Sequence, residues 1–266
     1  MVKEKTVVKF DIKHRFTNNL IFSVETESFK VAIETSIKQK INLTYADLTY
    51  ANLRYADLRY ADLRYADLTY ANLRSADLRS ADLRYADLTY ADLTYADLTS
   101  ANLTSANLTY ADLTSSDLRS ADLTYANLRS ADLRYADLRY ADLTYADLTY
   151  ADLTYANLRS ADLRYADLTY ADLTSADLTS ADFRYANLRY AELRSADGFT
   201  KTPIQIINTK YFITIFDKKV IWGCRTFSFD EVKTLELKDC KETWDEKEFY
   251  HNKDIVLKII EFYRRI

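Results

Sequence analysis

From Ile41 to Ser195 one five-residue rule governs the chain: Ala, then Asp or Asn, then Leu, then Thr or Arg, then Tyr or Ser. The rule runs for 155 residues, or 31 units, without a break in phase. Leu holds the third place in every unit except the one with Phe183, and Ala holds the first except at Ile41 and Ser116. The second place is Asp or Asn except at Glu192. Such a repeat fixes the architecture before any single element is read. A period of five fits no helix. At 3.6 residues per turn the leucines would wander around the whole surface, and a coiled coil needs 3.5. A flat strand needs a period of two. With apolar first and third places, each unit reads in, out, in, out, out. Two outward residues in succession force a corner once per unit, so the chain is predicted to be an all-β solenoid. Its interior is then lined by Ala and Leu, with Leu63, Leu83, Leu103, Leu123, Leu143, Leu163 and Phe183 among the core of the repeats. The 266 residues include only two Gly and one Pro, against 23 Tyr. Corners usually use Gly or Pro, so these corners must be made by another device.

Units such as ADLRY, ADLTY and ANLTS resemble the A(D/N)LXX motif of pentapeptide-repeat proteins, and the match covers more than half of the chain. The resemblance implies a right-handed quadrilateral β-helix with four units per 20-residue coil. The 31 units then form between seven and eight coils, a rod roughly 37 Å long at the usual strand spacing.

A solenoid needs its two ends covered. Residues 1–40 read as an N-terminal hairpin-plus-helix cap. Val7, Phe10 and Ile12, then Leu20, Ile21 and Phe22, suit two strands around a turn at Thr17–Asn18–Asn19, and residues 28–39 suit a short amphipathic helix. The repeat domain spans 41–197. Residues 198–266, opened by Gly198 and Pro203, read as a small α+β domain. Strands are expected at Ile204–Ile207, Tyr211–Phe216 and Val220–Cys224, with a turn at Asp217–Lys219. Ser228 with Glu231 carries a capping-box signature, and residues 253–264 suit a terminal helix. The segments IKHRFTNNLIFSVE and KYFITIFDKKVIWGCRTFSFDEV are similar to the flanks of pentapeptide-repeat proteins from phages and prophages. That similarity implies a viral or prophage origin. His14 and Phe227 depart from the Asn and His of those flanks.

Catalytic groups are sparse. The two histidines, His14 and His251, lie at opposite ends of the sequence, and Cys224 with His251 has no visible third group to orient it. Two Cys and two His without ligand spacing do not suggest zinc, and two glycines cannot make a phosphate-cradling loop. No enzyme and no cofactor are expected. Two cysteines do not form a disulfide framework. No signal peptide or membrane span is evident. The expectation is a soluble protein of the cytoplasm or a host cell, with virion association open and no membrane partner.

The repeats hold 22 Asp and one Glu against 15 Arg, a net charge of −8. Family members that protect or inhibit DNA gyrase use an acidic rod as a mimic of duplex DNA, so the resemblance offers one reading: a DNA-mimic regulator of a type II topoisomerase or other DNA-binding enzyme. Duplex DNA is far more densely charged, with one charge per ~1.7 Å. Asp and Asn also suit corners by bonding back to nearby backbone. If residues 20 apart stack, one face carries Arg59, Arg79, Arg119, Arg139 and Arg159 beside small Ser80, Ser100, Ser120, Ser160 and Ser180. Another carries Tyr50, Tyr70, Tyr90 and Tyr110 with Thr49, Thr69, Thr89 and Thr109. Tyrosine is enriched at interfaces, so these arginines and tyrosines are the candidate interaction residues. They favour a non-catalytic scaffold with an unidentified protein partner and no direct nucleic-acid binding. The family resemblance also allows a homodimer through one end.

Overall fold

The computed structural model describes residues 6–198, 204–206, 213–216, 219–222, 225–236 and 246–265. Through the repeats each second-place residue forms a parallel bridge with the residue 20 positions on, from Asp47 with Asp67 to Asp177 with Asp197. One coil is therefore four units, and its cross-section has four sides. Leu63, Leu83, Leu103, Leu123, Leu143 and Leu163 are fully buried, and Phe183 nearly so. Ser116, which stands where other units have Ala, stays inside by donating Oγ to the Leu113 carbonyl at 2.7 Å.

A solenoid persists only if its backbone donors are satisfied, and one unit shows how. Ala121 N–H bonds Leu118 O at 3.0 Å, closing the corner. Asp122 N–H bonds Ala101 O of the preceding coil at 3.0 Å. Leu123 N–H bonds Asp142 O and Tyr125 N–H bonds Thr144 O of the following coil, at 2.7 and 3.0 Å. Thr124 N–H has no backbone partner and bonds Asp122 Oδ1 at 3.0 Å. All five donors are used, and the fifth depends on the second-place side chain.

The corner device lies in the fifth residue. Every Tyr or Ser there has φ between 54° and 65°. With the Leu carbonyl accepting from the Ala three residues on, and positive φ only at the third position of the turn, this is a type II pattern, which ordinarily selects Gly. A non-Gly residue in that region costs about 1–3 kcal/mol. Three inter-coil bonds per unit hold it there. Gly198 ends the ladder at φ 94°. A Cβ there would come within 2.7 Å of the Leu178 carbonyl carbon and the Thr179 nitrogen.

Before the rod, strands β1 (Val8–Lys13) and β2 (Leu20–Thr26) form an antiparallel hairpin, with Asn18 at φ 57° in its turn. Helix α1 (Phe29–Lys38) follows, N-capped by Ser28. Ile12 and Ile33 join the same buried cluster as Leu43 and Leu48 of the first coil. Two first-coil donors that lack a preceding coil are met from this segment: Asp47 N–H bonds Lys13 O at 2.8 Å, and Asp57 N–H bonds Glu34 Oε1 at 2.9 Å.

After the rod, strands β3 (Ile204–Ile206), β4 (Ile213–Phe216), β5 (Lys219–Trp222) and β6 (Arg225–Ser228) make an antiparallel sheet in that order. Helix α2 (Phe229–Thr234) begins at a complete Ser228–Glu231 capping box. Helix α3 (Glu246–Arg265) is longer than the 253–264 expected from sequence. Phe249, buried in its first turns, continues the Val256 and Ile260 stripe, but the charged residues around it hide the period. Strand β6 is a further difference from the sequence expectation: Arg225–Ser228 holds one large apolar residue, Phe227, and pairs only because β5 lies alongside. Pro203, Asp217, Lys218, Cys224 and Cys240 lie outside the described residues, and with them the Cys224–His251 pair.

Candidate functional site

The fourth and fifth residues of the units stack into four corner columns, and the first condition on an arginine's partner is the second residue of its own unit. Where that residue is Asp, the guanidinium folds back onto it. Arg59 donates Nε and Nη2 to Asp57 at 2.8 and 2.7 Å, and Arg79, Arg119 and Arg139 do the same to Asp77, Asp117 and Asp137. Arg59 also lies 3.5 Å from Asp77 of the next coil, and Arg79 equally close to Asp97, so guanidinium and carboxylate alternate along the rod. The hydrogen bonds from Arg59, Arg64 and Arg79 hold Asp57, Asp62 and Asp77 below the usual carboxylate range, Asp57 at about 2. Where the second residue is Asn there is no carboxylate, and the guanidinium goes to a ring. Arg54 and Arg189 lie over their own Tyr55 and Tyr190 at 4.8 and 4.9 Å. Arg74 lies over Tyr95 at 5.2 Å and Arg129 over Tyr150 at 5.6 Å. Arg159 follows Asn157 too, but the next coil offers Ser180 in place of a ring.

The candidate tyrosines sit in a continuous stack. Tyr50, Tyr70, Tyr90 and Tyr110 are parallel at centroid spacings of 5.1, 4.9 and 5.0 Å, and Tyr150, Tyr170 and Tyr190 continue beyond Ser130. The adjacent column carries Tyr45, Tyr65 and Tyr85, then Tyr125, Tyr145, Tyr165 and Tyr185. His14 of the hairpin stacks on Tyr45 at 5.2 Å. Arg15 reaches the Tyr65 carbonyl at 3.0 Å and pairs with Asp67 at 3.0 Å. The rings lie over one another along the rod and turn their edges to solvent; Tyr50 is 74% exposed.

The acidic residues are used locally. Nine of the 22 repeat aspartates pair with the arginine two residues on. In Thr units the hydroxyl commonly donates to the same carboxylate, as from Thr69 to Asp67 at 2.5 Å. Asn interleaves in the stack: Asn107 Nδ2 donates to Thr89 Oγ1 at 2.8 Å and Asp87 Oδ1 at 3.3 Å. The arginine row and the tyrosine column share the rod but differ in availability. Four of the five row guanidinia are tied to their own Asp, whereas the tyrosine edges are open. The guanidinium-over-ring contacts of Arg54, Arg74, Arg129 and Arg189 all fall in Asn-Leu-Arg triplets, which are their signal in the sequence.

Among the described residues no group of His, Cys, Asp and Glu is placed to hold a metal ion, and no helix is long and apolar enough to cross a membrane. The family profile for pentapeptide repeats matches residues 41–79, 81–119, 111–149, 141–179 and 161–197. The chain belongs to the pentapeptide repeat family. That family's fold is the right-handed quadrilateral β-helix. Among solved structures the chain is similar to a pentapeptide repeat protein of the Arabidopsis thaliana thylakoid lumen, at 32% identity over 38% of this chain and 70% of that one, TM-score 0.37. It is similar to a pentapeptide repeat protein involved in heterocyst differentiation regulation in the cyanobacterium Nostoc, at 35% identity over 59% and 86%, TM-score 0.22. It is also similar to QnrB1, a plasmid-mediated fluoroquinolone resistance protein, at 18% identity over 57% and 85%, TM-score 0.37. No curated protein matches the chain.

Proposed function

We propose that this pentapeptide repeat protein is a non-catalytic scaffold whose rod offers its tyrosine columns to a protein partner, with no cofactor. Residues 1–40 serve as its N-terminal cap and 198–266 as a separate small domain. The viral setting rests on the similarity of the two end segments to phage flanks. The observation that carries the reading is the pair of adjacent columns headed by Tyr45 and Tyr50. Stacking and the corner geometry fix these side chains in advance, so little rotamer freedom is lost on binding. Tyrosine brings a large apolar ring and a hydrogen-bonding tip to an interface.

The net charge of −8 across the repeats keeps the DNA-mimic reading as the alternative. Against it stands the alternation of Arg and Asp along the arginine row. A tagged pull-down from the native host, washed in parallel at low and high salt, separates the two. The scaffold reading expects a partner retained through high salt and lost when Tyr70, Tyr90 and Tyr110 are replaced by Ser, which the rod already uses at such corners. A DNA-handling enzyme held only at low salt, and indifferent to those substitutions, would establish the alternative, because charge-driven binding weakens as salt rises.

A further inference from the structure

Four corners place a Ser between two tyrosines of one column: Ser75 between Tyr55 and Tyr95, Ser130 between Tyr110 and Tyr150, Ser105 between Tyr85 and Tyr125, and Ser115 between Tyr95 and Tyr135. Consecutive rings stack at 4.6–5.1 Å. A missing ring leaves two coil rises, about 9.6 Å, between the flanking tyrosines. The chain fills two of these gaps itself. Arg74 leans from the Ser75 corner over Tyr95, and Arg129 leans from the Ser130 corner over Tyr150. Both belong to ANLRS units. Their Asn supplies the oxygen that the corner N–H needs, at 3.1 Å in each case, but no charge to hold the guanidinium.

The other two gaps are empty of such a group. Ser105 and Ser115 belong to ANLTS and ADLTS units, whose Thr is too short to cross the gap. Thr104 instead shares its one hydroxyl proton between Asn102 Oδ1 at 2.7 Å and Asp122 Oδ2 at 3.0 Å. The flanking rings are open: Tyr85 is 50% exposed and Tyr125 58%. The charge beside the empty gaps is negative. Asp122, one coil on from the Ser105 unit and bonded by Thr104, and Asp92 and Asp112, level with Tyr95 and Ser115, stand in Thr units and have no arginine of their own. The neighbouring Arg84 and Arg134 are already tied to Asp82 and Asp132.

We propose that the Tyr85–Ser105–Tyr125 and Tyr95–Ser115–Tyr135 gaps are slots for arginine side chains of a partner protein, each taking a guanidinium as Arg74 and Arg129 take the other two. The inference rests on the scaffold reading and adds the chemistry of its partner. A planar guanidinium can lie on a ring face while its edge donates to a nearby carboxylate. A lysine ammonium, compact and strongly hydrated, suits the slot less well.

The test uses the full-length chain with ¹³C-labelled tyrosine rings, titrated with the blocked peptide acetyl-Gly-Arg-Gly-amide and with its Lys counterpart. The Arg peptide is expected to shift the rings of Tyr85, Tyr95, Tyr125 and Tyr135 saturably, to leave Tyr60 and Tyr140 unmoved, and to bind more tightly than the Lys peptide. T104R turns ANLTS into ANLRS, a unit the rod already contains, so folding is not at issue. The new guanidinium should occupy the Ser105 slot and weaken peptide binding there about tenfold, leaving the Ser115 slot unchanged. R74T should open a further slot at Ser75. Equal binding of the two peptides, or T104R without effect at Tyr85 and Tyr125, overturns the proposal. Those outcomes leave salt-resistant capture of a partner by the tyrosine columns untouched, so failure of the slots and failure of the scaffold are distinguishable.

Discussion

Asp122 decides between two roles for the acidic places of the rod, as corner acceptors or as a field of charge. Its Oδ1 accepts the Thr124 N–H at 3.0 Å and the Thr124 hydroxyl at 2.5 Å, and its Oδ2 accepts the Thr104 hydroxyl at 3.0 Å. D122N keeps the Oδ1 acceptor. Its new Nδ2 can donate to Thr104 Oγ1, as Asn107 Nδ2 donates to Thr89 Oγ1 at the same offset of 18 residues. D122A removes every acceptor and leaves the half-buried Thr124 N–H with no protein partner, because it makes no backbone hydrogen bond. An orphaned donor costs about 1–3 kcal/mol, equivalent to roughly 5- to 150-fold in an opening equilibrium. A long repeat array need not unfold in two states, so the assay is native-state hydrogen exchange read at single amides. In D122A the Thr124 amide should lose protection by that factor, while Leu123, bonded to Asp142 O at 2.7 Å, stays protected. In D122N both should match the parent within about 0.5 kcal/mol. If D122N deprotects Thr124 as much as D122A does, the charge and not the hydrogen bond is what the corner needs, and the reasoning fails.

Three further outcomes are expected. L123A should weaken its coil by about 2–5 kcal/mol, read as lost hydrogen-exchange protection at the Leu123 and Tyr125 amides, because a fully buried Leu leaves a cavity that stacked coils cannot close; unchanged protection would mean that Leu is not held inside. G198A should raise exchange at the Leu178 amide, whose N–H bonds Asp197 O at 3.0 Å, because the new Cβ meets the backbone of Leu178 and Thr179 at φ 94°. Acid should weaken the rod in a defined window. Asp57, Asp62 and Asp77 have folded pKa values depressed by their arginine hydrogen bonds, Asp57 to about 2. Their contribution is therefore complete above the ordinary carboxylate pKa and is lost as pH falls from about 4 toward 2. Thermal melts across that range should show a falling midpoint, and R59Q should flatten the part due to Asp57.

The period and the polarity of the five places were legible in the sequence. Ala and Leu at the first and third places leave the interior no other composition, and Ser116 and Phe183 are read as exceptions on sight. The Ser228–Glu231 helix start was equally plain, because a capping box is a purely local device. The corner conformation was not legible. Tyr and Ser carry no left-handed preference, and only the bonds to the next coil, 20 residues away, hold them at positive φ. The full length of α3 was hidden for a related reason: Phe249 reveals its role only when packed against Trp222 at 5.6 Å. The same holds at the candidate site. The sequence marks every arginine and tyrosine, but whether a guanidinium meets a carboxylate or a ring depends on two conditions. One is the residue two places before it, and the other is the side chain that the following coil brings alongside. The first is local and can be read from the chain. The second exists only once the coils have stacked, which is why Arg74 and Arg129 lie on rings while the gaps at Ser105 and Ser115 stay open.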